Sequence, residues 1–457
     1  MFNYMNRVLA VMFLMLFALM AGCRSPEPVV VPEPDPGPDD KIAAAFAESE
    51  IFDRGLTGFY LYDPESKTAL FDKEGHRYFT PASNTKIFTL YASLKVLPDT
   101  LPSLRYTMRD DTLYFRGTGN PAFLNPEFDS QKTFQFLKNS DRTLAYYDGH
   151  FLDEPFGSGW AWNWYMAAYA PEKAPFPIYG NMVRFNTEQV VLVKLDDEQP
   201  VDPPFFEKYL DKVEWNSDQI QLIDRERFEN HFRYAPRTDT ARQVRQVPFV
   251  YDRDLFMEIL ADTLGRDIVA VDNPIAAFDQ TLYGTPAEPL YQRMMKESDN
   301  LIAEQLLLMI SDELNGTLSS SEAIESVIGQ YFHFLPDAPR WADGSGLTRY
   351  NLFTPRSIAI LLDRLFEEYG EELTLSRFPA GGQSGTLSGW YRPEEGEPPY
   401  LYAKTGTLRN NITLSGYIYT DSGNRLIFSF MNNNQVASAN QVRSEMQRVL
   451  NLVKELY

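Results

Sequence analysis

The sequence predicts an α+β fold, an antiparallel sheet with flanking helices, interrupted by one or two inserted, mainly β domains. Strand-like runs lie near both ends of the chain, Thr57 to Asp63 and Thr68 to Phe71 on one side, Asn411 to Tyr419 and Arg425 to Met431 on the other, so the two ends are expected to share one sheet. Each set has an outer helix, Ile42 to Phe52 and Ala439 to Leu456. The second places Val442, Met446, Val449, Val453 and Leu456 on one face, as a helix lying on a sheet requires. The inserted domains follow from length: roughly 210 residues separate Lys86 from Ser298, more than a connection holds.

Composition sets the outer bounds. At 457 residues, with 44% hydrophobic and 14% aromatic residues, the chain is folded and too long for a single ordinary core. Its net charge of -21 argues against nucleic acid, whose phosphates are met by Lys and Arg. Residues 1–22 carry one positive charge, Arg7, and then an apolar run from Val8 to Ala21 that is short for a membrane span, the pattern of a signal peptide. Cys23 is the only cysteine, so no disulfide forms within the chain. The preceding Leu19-Met20-Ala21-Gly22 resembles the lipobox of bacterial lipoproteins, with Met20 where leucine is usual. Cys23 is therefore the expected lipid attachment site, and the proline-rich, acidic residues 23–41 are an extended tether to a membrane.

Beyond the tether, residues 42–101 and 274–457 are expected to form the catalytic domain and residues 102–273 the insertion. The insertion shows strand-like runs at Arg105 to Met108, Thr112 to Arg116 and Val190 to Leu195. Gly117-Thr118-Gly119-Asn120-Pro121-Ala122 superficially matches a dinucleotide fingerprint, but no helix-periodic run follows, so it reads as a turn. Trp160, Trp162 and Trp164 read as core packing before sugar stacking. Asp343-Gly344-Ser345-Gly346 reads as a glycine turn. His76, His150, His231 and His333 lack metal-site spacing, which disfavours a zinc peptidase.

Chemistry concentrates in three motifs. Thr80-Pro81-Ala82-Ser83-Asn84-Thr85-Lys86-Ile87 sets a serine and a lysine three residues apart at a helix start. Pro81 is the start signal, and Ile87, Leu90, Tyr91, Leu94 and Leu97 recur at helical spacing until Pro98. Ser83 and Lys86 then share a face, close enough to exchange a proton. A hydroxyl at the positive end of a helix, beside a lysine whose pKa burial lowers, is a nucleophile with its base. By itself the spacing arises about once by chance in a chain of this length and reads first as a solvated helix start. Downstream, however, Ser298-Asp299-Asn300 precedes an apolar-periodic run from Leu301 to Leu314, and Lys404-Thr405-Gly406-Thr407 continues the strand-like Tyr400 to Ala403. In that order, Ser-x-x-Lys, Ser-Asp-Asn and Lys-Thr-Gly are the signature of penicillin-binding proteins and class A β-lactamases.

With these residues the chain resembles the class C low-molecular-mass penicillin-binding proteins, the D-alanyl-D-alanine carboxypeptidase and endopeptidase group. The likeness runs from about Ala43 to the C-terminus and also rests on Phe115 to Pro121, Gly159-Trp160-Ala161-Trp162, Asp343 to Thr348 ahead of Asn351-Leu352, and Gly385-Thr386-Leu387. Asn120 stands where that family commonly has aspartate. The resemblance implies a serine β-lactamase/DD-peptidase-like fold and no metal or organic cofactor. It implies Ser83 as the acyl-forming nucleophile with Lys86 as its base, Ser298 as proton relay, and Asn300 as holder of the substrate amide. Lys404, Thr405 and Thr407 would bind the terminal carboxylate, beside Gly406 in the same motif, and the N–H groups of Ser83 and Thr407 would form the oxyanion hole. The implied partners are peptidoglycan peptides, with β-lactams as inhibitors, in the bacterial cell envelope. Two other readings stay open at this point: a β-lactamase, and a lipoprotein that only captures β-lactam or peptidoglycan. Class A β-lactamases deacylate with Glu-x-x-Leu-Asn, and at Leu314-Asn315 the glutamate's place is taken by Ser311.

Overall fold

The structure is a computed structural model, and it describes residues 36–188, 191–192, 201–212, 223–234, 243–273 and 277–457. The signal-like segment, Cys23, most of the tether, and the expected strand Val190 to Leu195 apart from Val191–Leu192 lie outside the described residues. Among the described residues no helix is long and apolar enough to cross a membrane.

The elements that position the site are α1 (Pro38–Ala47), β1 (Leu56–Asp63), β2 (Thr68–Lys73), α2 (Thr85–Val96), α3 (Asn300–Asn315), α4 (Pro355–Tyr369), β3 (Leu401–Leu408), β4 (Asn411–Tyr419), β5 (Arg425–Asn433) and α5 (Ala439–Leu456). The five strands form one sheet in the order β3-β4-β5-β1-β2, antiparallel throughout, which is the α+β arrangement expected from the sequence. Register ties the two ends of the chain together, with Leu61 opposite Phe428 and Phe59 opposite Phe430. The expected single helix from Ile42 to Phe52 is instead two, because Ser49 caps a separate turn, Glu50–Asp53, by accepting from the Phe52 N–H.

Period-two alternation sends the residues of β5 to two different cores. Phe428 and Phe430 face α5, packing with Phe46, Phe59, Val442, Met446 and Val449. Ile427 and Met431 face the other way, into the cluster of α2, α3 and α4 that includes Phe88, Leu306 and Leu362. Being buried on both faces, β5 is apolar from Leu426 to Met431 apart from Ser429. Burial of each such Phe or Leu contributes about 1.5 to 3 kcal/mol, so the sheet is pinned between two helical layers.

The interval between α2 and α3 carries its own core, built around Phe115, Tyr146, Phe176, Phe206 and Phe256. It contains a five-stranded sheet in the order Ile268–Ala270, Thr143–Tyr146, Thr112–Gly117, Thr100–Arg109, Gln280–Pro286. That sheet is mixed, with parallel pairs at Thr143–Tyr146, and it extends on both sides of the interval 102–273, since Gln280–Pro286 pairs with Thr100–Arg109. Smaller sheets are formed by Met182–Glu188 with Gln243–Pro248, and by Ile223–Arg225, Phe232–Tyr234 and Leu210–Lys212. Ion pairs fasten the large inserted sheet to α3: Arg105 Nε and Arg116 Nη2 lie 2.9 and 3.1 Å from the two oxygens of buried Asp312, and Arg105 Nη2 lies 2.7 Å from Glu313 Oε2.

Candidate active site

The three motifs meet at the edge of the main sheet, between β3 and the start of α2. Ser83 sits in a single 3-10 turn, Ala82–Asn84, that leads into α2. The turn is held by its neighbours. Thr413 Oγ1 donates to Pro81 O at 2.8 Å, and Asn84 Nδ2 donates to Lys404 O at 3.0 Å, so the nucleophile's turn is fastened to β3 and β4. Gly406 is required here because a Cβ would lie 2.1 Å from Thr413 Oγ1 and 2.7 Å from Pro81 O. Ala82, next to the nucleophile, adopts φ 49°, and Ser298 adopts φ 60°. Left-handed backbone at a non-glycine costs about 1 kcal/mol or more and is retained where surroundings impose it.

Lys86 is wholly buried, and its Nζ meets three oxygens: Asn300 Oδ1 at 2.6 Å, Ser345 O at 2.7 Å and Ser83 Oγ at 3.1 Å. Asn300 Nδ2 donates to Tyr169 O at 2.7 Å, and since a carbonyl only accepts, this fixes Oδ1 as the atom facing the lysine. Burial pushes Lys86 down to about 8, against the negative charges of Glu304, Asp343 and Asp299, which favour its protonated form. In the neutral amine the two N–H groups are taken by Asn300 Oδ1 and the Ser345 carbonyl, both acceptors only, and the lone pair remains for the Ser83 hydroxyl.

Lys404, also wholly buried, directs its Nζ to Ser298 Oγ at 2.9 Å and to Thr405 O at 3.0 Å. Burial first, and then the charge of Lys86, hold it well below its ordinary 10.5. Ser298 ends the loop before α3, whose N-cap Asp299 accepts from the Ile302 N–H. Thr405 Oγ1 lies 2.7 Å from Thr386 Oγ1, and Thr407 is exposed, accepting at Oγ1 from Arg443 Nη2 at 3.2 Å. β3 is an edge strand, and Ala403 N donates outward to Pro379 O at 3.1 Å. Two- and four-residue steps along the strand turn the N–H groups of Thr405 and Thr407 to that same outer edge, away from β4.

The structure thus brings Ser83, Lys86, Asn300 and, through the second lysine, Ser298, Lys404 and Thr405 into two linked hydrogen-bonded groups. It also supplies residues that the motifs do not contain. The turn Asp343 to Gly346 lends the Ser345 carbonyl to Lys86, and a Cβ at Gly346 would lie 1.9 Å from Ala82 O. Asp343 ties that turn by accepting from the Gly346 and Thr348 N–H groups and from Trp160 Nε1 at 2.9 Å. Trp160 is accordingly a packed residue, whereas Trp162 is 68% exposed with the Arg227 guanidinium 4.2 Å over its ring. Glu304 accepts from the Ser345 and Gly344 N–H groups at 2.7 and 3.2 Å. Burial, then neighbouring Asp343, pushes its carboxyl above the usual range. The motifs pass over it, and its charge inside the apolar run Leu301 to Ile310 was the signal that could have found it. Ser311 is buried and paired with Thr317 Oγ1, with no carboxylate in the place of a deacylating glutamate. Among the described residues no group of three or more His, Cys, Asp or Glu could hold a metal. Gly117 to Ala122 is a turn: Gly119 has φ 82° and its carbonyl accepts from Gln305 of α3.

Comparison with known proteins bears on this geometry in two ways. The solved structure of penicillin binding protein 4 from Haemophilus influenzae is similar with a TM-score of 0.71 at 19% identity, across 91% of this chain and 99% of that one. Complexed with a β-lactam, the structure of that protein gives 0.65 at 17% identity across the same shares. At such identities the likeness is one of fold. In sequence, the D-alanyl-D-alanine carboxypeptidase DacB of H. influenzae is 24% identical over 447 residues, 88% of this chain and 91% of that protein. The family described as D-Ala-D-Ala carboxypeptidase 3 (S13) matches residues 39–453, nearly the whole of the described chain. The chain belongs to the D-Ala-D-Ala carboxypeptidase 3 (S13) family.

Proposed function

We propose that the chain is a serine-type carboxypeptidase that removes the terminal D-alanine from peptidoglycan stem peptides through an acyl-Ser83 intermediate, and that penicillins trap this intermediate. The observation that carries the reading is the neutral-amine geometry of Lys86, which leaves one lone pair aimed at one hydroxyl. Lys86 takes the Ser83 proton as Oγ bonds to the carbonyl carbon of the penultimate D-alanine. The N–H groups of Ser83 and Thr407 receive the developing oxyanion. As the C–N bond breaks, the proton passes from Lys86 through Ser298 to the leaving amine, with Lys404 orienting the Ser298 hydroxyl. Water then opens the ester, Lys86 again accepting the proton.

Family membership supports the substrate class, and the β-lactam complex of the H. influenzae relative supports penicillins as ligands. The test is incubation of the purified protein with muropeptides ending in D-Ala-D-Ala, and separately with crosslinked dimers, followed by mass analysis. Loss of one D-alanine supports the carboxypeptidase, and monomers released from dimers add an endopeptidase activity. Intact muropeptides with rapid nitrocefin hydrolysis would replace this reading with a β-lactamase. Placement in the envelope as a lipoprotein is part of the same proposal, motivated by the signal-like residues 1–22, Cys23 and the tether.

A further inference from the structure

A cavity of about 270 Å³ opens beside the edge strand of the site. Thr405 and Thr407 of β3 form one wall, Thr386 and Trp390 stand across from them, and Arg443 and Met446 of α5 form another. Both hydroxyls suited to a terminal carboxylate therefore face one space. Arg443 is the only cation among the residues that line it.

Among the described residues the guanidinium hydrogen-bonds only neutral side chains. Arg443 Nη2 donates to Thr407 Oγ1 at 3.2 Å and Nη1 to Asn440 Oδ1 at 3.4 Å, both neutral acceptors. Among the described residues no carboxylate pairs with it. Partly buried Arg105, by contrast, meets the carboxylates of Asp312 and Glu313 at 2.9 and 2.7 Å. A planar fork of donors beside two hydroxyls suits a carboxylate, and a guanidinium keeps its charge in partly dry surroundings.

The other cation of the site is committed elsewhere. Lys404 Nζ already meets Ser298 Oγ and Thr405 O, and burial together with Lys86 favours its neutral form. Arg443 is the cation that lines the space where a carboxylate would meet Thr405 and Thr407.

We propose that the C-terminal carboxylate of the peptide is held in this cavity by Arg443 together with the Thr405 and Thr407 hydroxyls, so that Arg443 reads the charge of the leaving residue. This rests on the peptidase reading above and adds the residue that makes the enzyme a carboxypeptidase in preference to an amidase of internal bonds. Lys404 then acts on Ser298 and the proton path, and the two cations divide the work.

The test uses the purified full chain and a matched pair of substrates, an acyl-D-Ala-D-Ala peptide and its C-terminal carboxamide, with release of D-alanine or D-alaninamide followed. Wild type should favour the free carboxylate. Arg443→Ala should shrink that preference about tenfold or more, chiefly through a higher KM for the carboxylate peptide. Arg443→Gln, which keeps a donor for Thr407 without the charge, should behave like Arg443→Ala, and Arg443→Lys should recover part of the preference. A purely structural arginine would lower both substrates together or neither, and an unchanged preference in Arg443→Ala and Arg443→Gln would overturn the assignment. A wild type that releases neither product would instead remove the peptidase reading on which it stands.

Discussion

Lys86 Nζ lies 3.1 Å from Ser83 Oγ, while its other two contacts, Asn300 Oδ1 and Ser345 O, are oxygens that can only accept. A neutral lysine in that setting has no choice of partner for its lone pair. The serine is activated by what surrounds the lysine as much as by the lysine.

This gives acylation a pH dependence with a defined sign. Lys86 works as a base only when neutral, and burial holds it at about 8. The acylation rate should climb about tenfold per pH unit below 8 and level off above it. Stability carries the same group: with a folded pKa below the ordinary 10.5, the folded protein binds fewer protons between about 8 and 10.5 than the unfolded chain does. That group's contribution therefore becomes more favourable as pH rises through this window. Stopped-flow acylation by a chromogenic β-lactam across pH 5 to 10 reads the first effect, and a rate independent of pH would contradict it.

Glu304→Gln should change both the position and the height of that profile. The Glu304 charge favours the protonated lysine, so removing it should move the limb to lower pH. The amide also leaves one of the Gly344 and Ser345 N–H groups without an acceptor, loosening the carbonyl that orients Lys86. The plateau should fall by about one power of ten, for a lost buried hydrogen bond of roughly 1 to 3 kcal/mol. A limb that stays in place would break the electrostatic link between the two residues.

Lys404→Ala should act on the proton path. Without its Nζ, Ser298 loses the partner that orients its hydroxyl, and kcat/KM for the D-Ala-D-Ala peptide should drop by about two to three powers of ten. Steady-state assays would show this, and a loss confined to KM would move Lys404 from proton transfer to binding.

Asp312 joins the inserted sheet to α3, and removing it leaves Arg116 without an acid and Arg105 with Glu313 alone. Asp312→Ala should cost about 3 to 5 kcal/mol, since Arg105 and Arg116 are both mostly buried and would lose their common acid. Urea unfolding gives the number, and a change under 1 kcal/mol would mean that the Asp312 ion pairs add little to the joint between the insertion and α3.

How much of this could be read from the chain follows physical locality. The hairpin Asn411 to Tyr419 with Arg425 onward and the helix Ala439–Leu456 were legible because period two and period 3.6 are written in neighbouring residues. The three motifs were legible for the same reason. The break at Ser49 was missed because the apolar pattern runs across it, although a serine cap was available to end the helix there. The mixed inserted sheet was not legible, because one of its parallel pairs joins Thr143–Tyr146 to Ile268–Ala270 across more than a hundred residues, and register at that range leaves no local mark. The supporting groups of the site divide in the same way. Glu304 was missed, although a charge inside the apolar run Leu301 to Ile310 could have marked it, while the Ser345 and Tyr169 carbonyls are backbone atoms with no sequence signature, and Arg443 looks like any polar-face arginine of an amphipathic helix.

Cys23 makes a separate expectation about placement. Wild type should fractionate with membranes and Cys23→Ala should be released, since the residue before the tether is the proposed attachment point. If the two variants partition alike, the anchor is elsewhere or absent.

The central claim is that Ser83 is the acylated residue and Lys86 its base. Intact-protein mass spectrometry after benzylpenicillin treatment, followed by mapping of the peptide that carries Ser83, tests it most directly. One penicilloyl adduct on Ser83 in wild type is expected, with none in Ser83→Ala and acylation slowed by at least about two powers of ten in Lys86→Gln. An adduct that persists in Ser83→Ala, or one that forms at the wild-type rate without Lys86, would contradict the account.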